Sequence, residues 1–143
     1  MDETEKKAQE LLAGKNNIAY RLAGFIPLEE IMRFYEENDI DCFITTSSPE
    51  GCPVSIQEAM SYGIPIIATA VGEIPNMIEG NGILLSENPL PEDVQTAIER
   101  LCHAGEAESL AMQAKSRALW ECKYNAADNA QKFVEELKKL YVS

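Results

Sequence analysis

The stretch DCFITTSSPEGCPVSIQEAMSYGIPIIATA, residues 41–70, contains the pattern of a strand, a loop, a helix and a second strand in succession. Its first six residues and the run from Pro65 are short, apolar and β-branched, which is typical of strands that are buried on both faces. Pro53 begins a helical pattern that Gly63 ends, because proline suits the first turn of a helix and glycine the residue after its end. This order predicts two parallel strands of an α/β sheet.

The same alternation continues on both sides of this stretch. Two further strands are predicted, at residues 18–24 (IAYRLAG) and 82–85 (GILL). The remaining helices are predicted either from the helical spacing of apolar residues or from helix-boundary residues. They are residues 3–13, 28–38, 74–79, 91–102, 107–122 and 125–141. We therefore expect an α/β fold with a parallel sheet of about four strands, flanking helices and a helical C-terminal tail.

Composition excludes several classes of function. The 143 residues include 12 basic and 24 acidic side chains, so the net charge is −12, which repels nucleic acid and anionic lipid. The single histidine and four cysteines show no zinc-ligand or CxxC spacing, so we expect no metal and reduced thiols. No apolar run reaches the roughly 20 residues that span a bilayer, and the acidic N-terminus lacks a signal pattern. A cytoplasmic location is therefore predicted.

The start of the helix at Pro53 predicts an anion site. At a helix N-terminus the first N–H groups have no partner within the helix, and the helix dipole favours negative charge. The amides of Val54, Ser55 and Ile56 can therefore bind a phosphorylated ligand without a cationic side chain, which suits an acidic chain. Glu50 precedes this helix, and Glu58 lies within it. Ligands bind at the carboxyl ends of the strands in such sheets, where this loop lies.

The pattern Glu50-x7-Glu58 within EGCPVSIQEAMSYGIPIIATAVGEIP, residues 50–75, resembles the signature of glycosyltransferases of group 1 (family 4), which have the GT-B fold. The resemblance continues upstream through RLAGFIPLEEIMRFYEENDIDCFITTSSPEG and downstream through NGILLSEN and PEDVQTAIERL. It covers most of residues 20–102. It implies a partial Rossmann-like domain from the C-terminal half of such an enzyme, which binds the nucleotide-sugar donor.

The resemblance also implies roles for the residues at the loop. Glu50 matches the first glutamate of the family, beside the donor sugar, where a carboxylate can stabilise the oxocarbenium-like transition state as the catalytic residue. Glu58 matches the glutamate that hydrogen-bonds the ribose hydroxyls. The main chain between them faces the sugar and the diphosphate, and this implies donor-binding roles for Gly51, Cys52, Pro53, Val54 and Ser55.

Two further loops match the family's donor site. Gly24 to Pro27 match the loop against the base, with Ile26 as the expected contact. Gly72 matches the first residue of a frequent Gly-Gly pair, and Glu73 departs from the second. The resemblance requires no cofactor and no metal.

The family's donor domain begins with two further strands and a loop whose Arg and Lys clamp the donor phosphates, and no such Gly-Arg…Lys-Gly element occurs here. Residues 1–143 are therefore predicted to form one incomplete domain, with strand and helix alternation over 1–90 and a helical tail over 91–143. Three arrangements remain open: the strand at 18–24 pairs directly with that at 41–46, a second copy supplies the pairing as a homodimer, or the chain needs its missing half.

Two functions follow from these predictions. The first is the donor-binding part of a retaining glycosyltransferase that uses a UDP- or GDP-sugar and needs an N-terminal acceptor domain or partner chain, so that this chain alone is inactive. The second is a non-catalytic association module derived from such an enzyme. A response-regulator type of α/β domain is disfavoured, because no acidic cluster follows Gly24. The helix at 125–141 is expected to cover the core, or alternatively to dock onto the partner domain.

Overall fold

The computed structural model describes residues 3–48 and 51–141. The chain divides into two units, residues 1–33 and 34–143. The first unit contains α1 (Glu3–Leu12) and the beginning of α2 (Leu28–Glu37), which continues into the second unit. Both helices have the predicted positions. Between them, residues 13–27 form neither helix nor strand.

The predicted strand at residues 18–24 is wrong. Its apolar side chains, Ile18, Tyr20 and Leu22, are exposed, and the segment is paired with no strand of the described chain. A strand is stable only when another strand accepts and donates its backbone hydrogen bonds. The composition of this segment suits a strand, but no pairing partner is present among the described residues. Direct pairing of 18–24 with 41–46 is therefore also wrong, and the sheet has three strands instead of about four.

The sheet lies in the second unit and is entirely parallel. Its strands are β1 (Phe43–Thr45), β2 (Ile66–Thr69) and β3 (Gly82–Leu85), in the order β1-β2-β3. In the register, Ile44 pairs with Ile67, and Ile67 pairs with Ile83. This confirms the α/β class and the parallel sheet. It also leaves β1 at the edge, with one side chain, Ile44, 39% exposed.

Five more helices belong to the second unit, each within two residues of its predicted bounds. They are α3 (Val54–Ser61), α4 (Ile74–Met77), α5 (Pro91–Cys102), α6 (Glu106–Lys123) and α7 (Ala126–Tyr141). The start of α5 is stabilised because the Asp93 carboxylate accepts a hydrogen bond of 2.8 Å from the N–H of Leu90, the residue before the helix.

The core consists of two clusters on opposite faces of the sheet, because successive residues of a strand point to opposite faces. The larger cluster joins β2 to α3, α4 and α6, and its buried residues are Ile56, Ala59, Met60, Ile64, Ile66, Ala68, Ile74, Met77 and Leu119. The smaller one joins β2 and β3 to α5 through Ile67, Leu85 and Ala97. Each of the Ile, Leu and Met side chains in these clusters contributes about 1.5–3 kcal/mol to stability.

Polar contacts fix α6 against the end of α3 and the turn that follows it. The buried Ser116 hydroxyl donates a 2.7 Å hydrogen bond to the Ile64 carbonyl. Arg117 donates to the Ser61 carbonyl, and its guanidinium lies 4.8 Å from the ring centroid of Trp120. The first bond holds the turn between α3 and β2, and the second satisfies a carbonyl at the end of α3 that has no partner within that helix, so the position of α3 depends on α6.

The apolar face of α7 does not cover the core, so that expectation is wrong. Phe133 is 65% exposed and Leu140 is 74% exposed, and Val134 and Leu137 are exposed as well. The reason is that α3, α4 and α6 already cover one face of the sheet and α5 covers the other. Within the described residues, this face of α7 packs against neither core cluster.

Candidate functional site

The loop after β1 is attached to the carboxyl end of β2. Thr69, the last residue of β2, is fully buried, and its hydroxyl donates a 2.8 Å hydrogen bond to the carbonyl of Ser47. The hydroxyls of Thr45 and Ser47 lie 3.0 Å apart, within hydrogen-bonding distance. These contacts place the beginning of the loop at the sheet edge where parallel α/β sheets bind ligands.

The helix α3 begins at this edge and has an open N-terminus. Pro53 is buried and extended, with φ −68° and ψ 123°, and the helix starts at the next residue. No side chain in the described residues caps it, and Val54 is 63% exposed. Val54 and Ser55 at the start of α3 are exposed, whereas Ile56 is fully buried, and binding of an anion by this helix N-terminus stays a prediction.

A backbone hydrogen bond joins the loop before α3 to the loop after β2. The N–H of Glu73 donates to the carbonyl of Gly51 at 2.8 Å. Gly72 has φ +54°, in the left-handed region that favours glycine, and this conformation directs the chain toward the loop. Cys52 accepts a 3.3 Å hydrogen bond from the Gln57 amide nitrogen. The structure thus brings the 51–55 segment and the Gly72 loop together.

Glu58 lies on the second turn of α3 and is half-buried. The side chains beside it are aromatic. The rings of Tyr35 and Tyr62 are 5.9 Å apart between centroids, and burial, followed by the charge of Glu58, raises the pKa of Tyr35. The negative charge of Glu58 therefore acts on the phenol of Tyr35, which belongs to α2.

Two predicted site residues are not placed with the 51–55 segment, Glu58 and the Gly72 loop. Glu50 lies outside the described residues, so its catalytic role stays a prediction. Ile26 belongs to the first unit, residues 1–33, and its contact with the base also stays a prediction. The remaining predicted residues lie on the loop before α3, on α3 itself and on the loop after β2; they are Gly51, Cys52, Pro53, Val54, Ser55, Glu58 and Gly72.

Sequence reasoning missed two tyrosines near this group. Tyr124, at the end of α6, packs against the larger core cluster. Burial, followed by the charge of Cys52, raises its pKa, and Glu73 also raises it. Tyr35 belongs to α2, where helical periodicity predicts only an apolar position. A local pattern cannot show either proximity, because the residues that meet are far apart in the sequence.

A cleft of about 530 Å³ lies at the same edge of the sheet. Its polar lining comes from the loops after β1 and β3, through Thr46, Ser48, Glu87 and Asn88, and its apolar wall includes Val94. Hydroxyls, a carboxylate and a carboxamide are groups that hydrogen-bond sugar hydroxyls. Within residues 3–48 and 51–141, no three His, Cys, Asp or Glu side chains are grouped so that they could hold a metal ion.

Chemically, this edge combines an uncapped helix N-terminus for an anion with a half-buried carboxylate one turn further along. The helix N-terminus favours phosphate oxygens, and the carboxylate accepts hydrogen bonds from hydroxyls.

No helix in the part of the chain that the structure describes is both long and apolar enough to cross a membrane.

Comparison with known proteins gives a consistent result. A model of the family described as glycosyl transferases group 1 matches residues 2–104. The chain is 33% identical over 128 residues to the amylovoran biosynthesis glycosyltransferase AmsK of Erwinia amylovora, a match that covers 84% of this chain and 30% of AmsK. It is 40% identical over 58 residues to the O-antigen biosynthesis glycosyltransferase WbnH of Escherichia coli, covering 41% of this chain and 17% of WbnH.

Among solved structures, the sucrose-phosphate synthase of Thermosynechococcus elongatus is similar in fold, with a TM-score of 0.77 and 23% identity. The superposition covers 97% of this chain and 34% of that protein. At this identity the likeness shows the fold alone. In each of these matches the chain spans about a third or less of the other protein's length.

Proposed function

Because this chain belongs to the glycosyl transferases group 1 family, we propose that it is the donor-binding part of a retaining glycosyltransferase. The reaction transfers a sugar from a UDP- or GDP-sugar to an acceptor. The observation that carries the proposal is the uncapped N-terminus of α3 at the carboxyl edge of the sheet, with Glu58 on the same helix. The relatives' names, which refer to amylovoran and O-antigen biosynthesis, support a role in carbohydrate biosynthesis. A cytoplasmic location stays a prediction from the sequence.

The proposed chemistry assigns one role to each part of the loop and helix. The first-turn amides of α3 bind the diphosphate and stabilise the charge that the leaving group gains. Glu58 accepts hydrogen bonds from the ribose hydroxyls, which are worth about 1.5–3 kcal/mol because the acceptor is charged. Glu50 stabilises the positive charge that develops on the sugar ring. Ser55 and Gly72 contribute main-chain contacts.

We propose that the isolated chain binds the donor weakly and transfers no sugar. The family's Arg and Lys clamp does not occur in this sequence, and two charged contacts of this type are worth about 1.5–3 kcal/mol each. Donor binding is then expected in the millimolar range, about −4 kcal/mol. The acceptor side of the site would come from an N-terminal domain or a partner chain.

Nuclear magnetic resonance can test the donor site at millimolar ligand concentrations. The ¹⁵N-labelled chain is titrated with a UDP-hexose and with a GDP-hexose. The amides of residues 51–55 and Gly72 are expected to shift. Glu58→Ala should weaken binding by about tenfold or more, whereas Glu108→Ala, on an exposed position of α6, should leave it unchanged. Shifts confined to other regions would contradict the site, and submicromolar affinity would contradict the predicted weakness.

The second candidate function is a non-catalytic association module, and the exposed face of α7 favours it. Phe133, Val134, Leu137 and Leu140 form an apolar stripe on this helix, and an apolar helix face of this kind usually packs against a partner. In the proposed transferase, that partner is the acceptor domain. In the alternative it is a second copy of the chain.

Sedimentation of the chain over a range of concentrations distinguishes these two partners. A concentration-dependent dimer that Leu137→Lys abolishes supports the association module. A monomer at all concentrations supports docking onto an acceptor domain. The control is Lys132→Glu, which changes the charge of an exposed residue on α7 outside the apolar stripe.

A further inference from the structure

We propose that Cys42 and Cys102 form one dithiol site, at which a small disulfide such as oxidised glutathione joins the two thiols into an intramolecular disulfide. Both side chains are free thiols in the structure. They are far apart in the sequence, and the fold brings them to the walls of one cavity. This site shares no residue with the donor site, so it stands or falls independently of the proposed function.

Packing places Cys42 on the side of the sheet that α5 covers. Cys42 directly precedes β1 and packs against the smaller core cluster, which joins β2 and β3 to α5. Leu101, the neighbour of Cys102 in the last turn of α5, packs against the same cluster. The Cys42 thiol and the end of α5 therefore lie on the same face of the sheet.

A cavity of about 470 Å³ is lined by both cysteines. The end of α5 contributes Ile98, Leu101 and Cys102 to its wall, and the residues before β1 contribute Asp41 and Cys42. Because Ile98 and Cys102 are four residues apart, they lie on one face of α5, and this face borders the cavity. The cavity is therefore a gap between the end of α5 and the start of β1, with a thiol on each side.

The two thiols differ in exposure, which sets the order in which they react. Cys102 is exposed, whereas Cys42 is half-buried. Burial, followed by the charges of Asp41 and Cys102, raises the pKa of Cys42, which agrees with the position of the two thiols on one cavity. The thiolate is the reactive form of cysteine, so Cys102 is expected to react first and Cys42 second.

The reaction consists of two thiol–disulfide exchanges. The Cys102 thiolate attacks one sulfur of oxidised glutathione, forms a mixed disulfide and releases one glutathione thiolate. The Cys42 thiol then loses its proton to solvent, and its thiolate attacks the sulfur of Cys102 and releases the second glutathione. In total the protein loses two hydrogen atoms and is oxidised by two electrons, and oxidised glutathione is reduced to two thiols.

The disulfide would connect the edge strand of the sheet to α5. Among the described strands, β1 pairs with β2 alone, and the loop with the donor-binding segment follows β1. A covalent link between residues 42 and 102 restricts the unfolded chain, and it therefore stabilises the folded state. Oxidation of the dithiol site is thus expected to make the second unit more stable, in a way that reducing agents reverse.

Peptide mapping tests the bond in the full chain. The double variant Cys52→Ser/Cys122→Ser keeps only Cys42 and Cys102. After incubation with oxidised glutathione, its mass should fall by two hydrogen atoms, and digestion should give two peptides joined through these residues. The wild-type chain should give the same joined peptides, which keeps the test decisive if the variant does not fold. Separate glutathione adducts on the two cysteines would overturn the proposal.

The matched control is Cys52→Ser/Cys102→Ser, which keeps Cys42 together with Cys122, an exposed thiol on α6. It should form glutathione adducts and no intramolecular bond, and a bond between these two cysteines would contradict the selective pairing. The reaction is also repeated in enough urea to unfold the chain. The native fold should favour the bond between Cys42 and Cys102 by about tenfold or more; an equal yield in urea would overturn the proposal.

Urea unfolding tests whether the bond fits the native structure. Oxidation of Cys52→Ser/Cys122→Ser should raise the urea midpoint by about 1–2 M, and dithiothreitol should return it to the value of the reduced chain. An unchanged or lowered midpoint would show that the native positions of the two thiols do not suit a disulfide, and the dithiol site would be wrong.

Discussion

Replacement of Gly82 by alanine is expected to destabilise the second unit severely. Gly82 is the first residue of β3 and pairs with Ile66 in the parallel register. A Cβ atom at position 82 would lie 1.8 Å from the carbonyl oxygen of Ile66 and 2.7 Å from its backbone carbon and nitrogen. Real Cβ contacts are essentially never shorter than 3.0 Å, so the two backbones must move apart by more than about 1 Å, against a normal strand spacing of about 4.8 Å.

The magnitude follows from the bonds that this movement stretches. The N–H of Ile66 donates to the carbonyl of Asn81 at 3.1 Å, directly beside Gly82. An added displacement of about 1 Å takes this bond beyond the hydrogen-bonding range, and a buried group without its partner costs about 1–3 kcal/mol. Overpacking adds about 1–3 kcal/mol. We expect the free energy of unfolding to fall by about 2–6 kcal/mol.

Urea unfolding followed by circular dichroism measures this change. With a slope of about 1.5–2 kcal/mol per molar urea, the midpoint should fall by about 2 M, or the chain should be unfolded without urea. The control is Gly105→Ala, since no atom lies within 4 Å of an added Cβ there, and its cost should stay below about 1 kcal/mol. Equal midpoints for the two variants would refute the reasoning.

Three further predictions concern single interactions. Ser116→Ala removes the buried donor to the Ile64 carbonyl and should lower the free energy of unfolding by about 1–3 kcal/mol in the same urea assay; no change would show that this carbonyl finds another donor. The pKa of Tyr35 is raised above its ordinary 10.0, so the unfolded state loses this proton first and stability should fall as the pH rises above that value. Tyr35→Phe should therefore flatten the decline in the urea midpoint between pH 9 and pH 11, about one unit either side of the ordinary pKa. The exposed ion pair with Lys123 lowers the pKa of Glu79 below its ordinary 4.5, so the stabilisation by this pair should be present above that pH and be lost as the pH falls. Glu79→Gln should have a small effect on the urea midpoint that disappears at high salt. A large, salt-independent effect would contradict the surface character of the pair.

Local patterns in the sequence were sufficient to predict most of the helices and strands. The strands at 43–45, 66–69 and 82–85 and the seven helices of the described residues lie within two residues of the predicted positions. The reason is that apolar periodicity and the Pro and Gly boundary residues act over a few neighbouring residues. The start of α3 directly after Pro53 was predicted in the same way. The family was identified from the residues around Glu50 and Glu58, and the match over residues 2–104 confirms it.

The tertiary structure decided the features that depend on residues far apart in the sequence, which are strand pairing, helix packing and contacts between separate elements. Residues 18–24 have the composition of a strand, yet no strand of the described chain pairs with them, since pairing depends on a partner elsewhere in the fold. The stripe on α7 has the pattern of a packed helix, yet other helices already cover the sheet. The contact of Tyr35 with Tyr62 and the bond from Glu73 to Gly51 likewise join separate elements. Periodicity specifies which face of an element is apolar, whereas only the packed chain determines what that face meets, because packing and backbone pairing are long-range interactions.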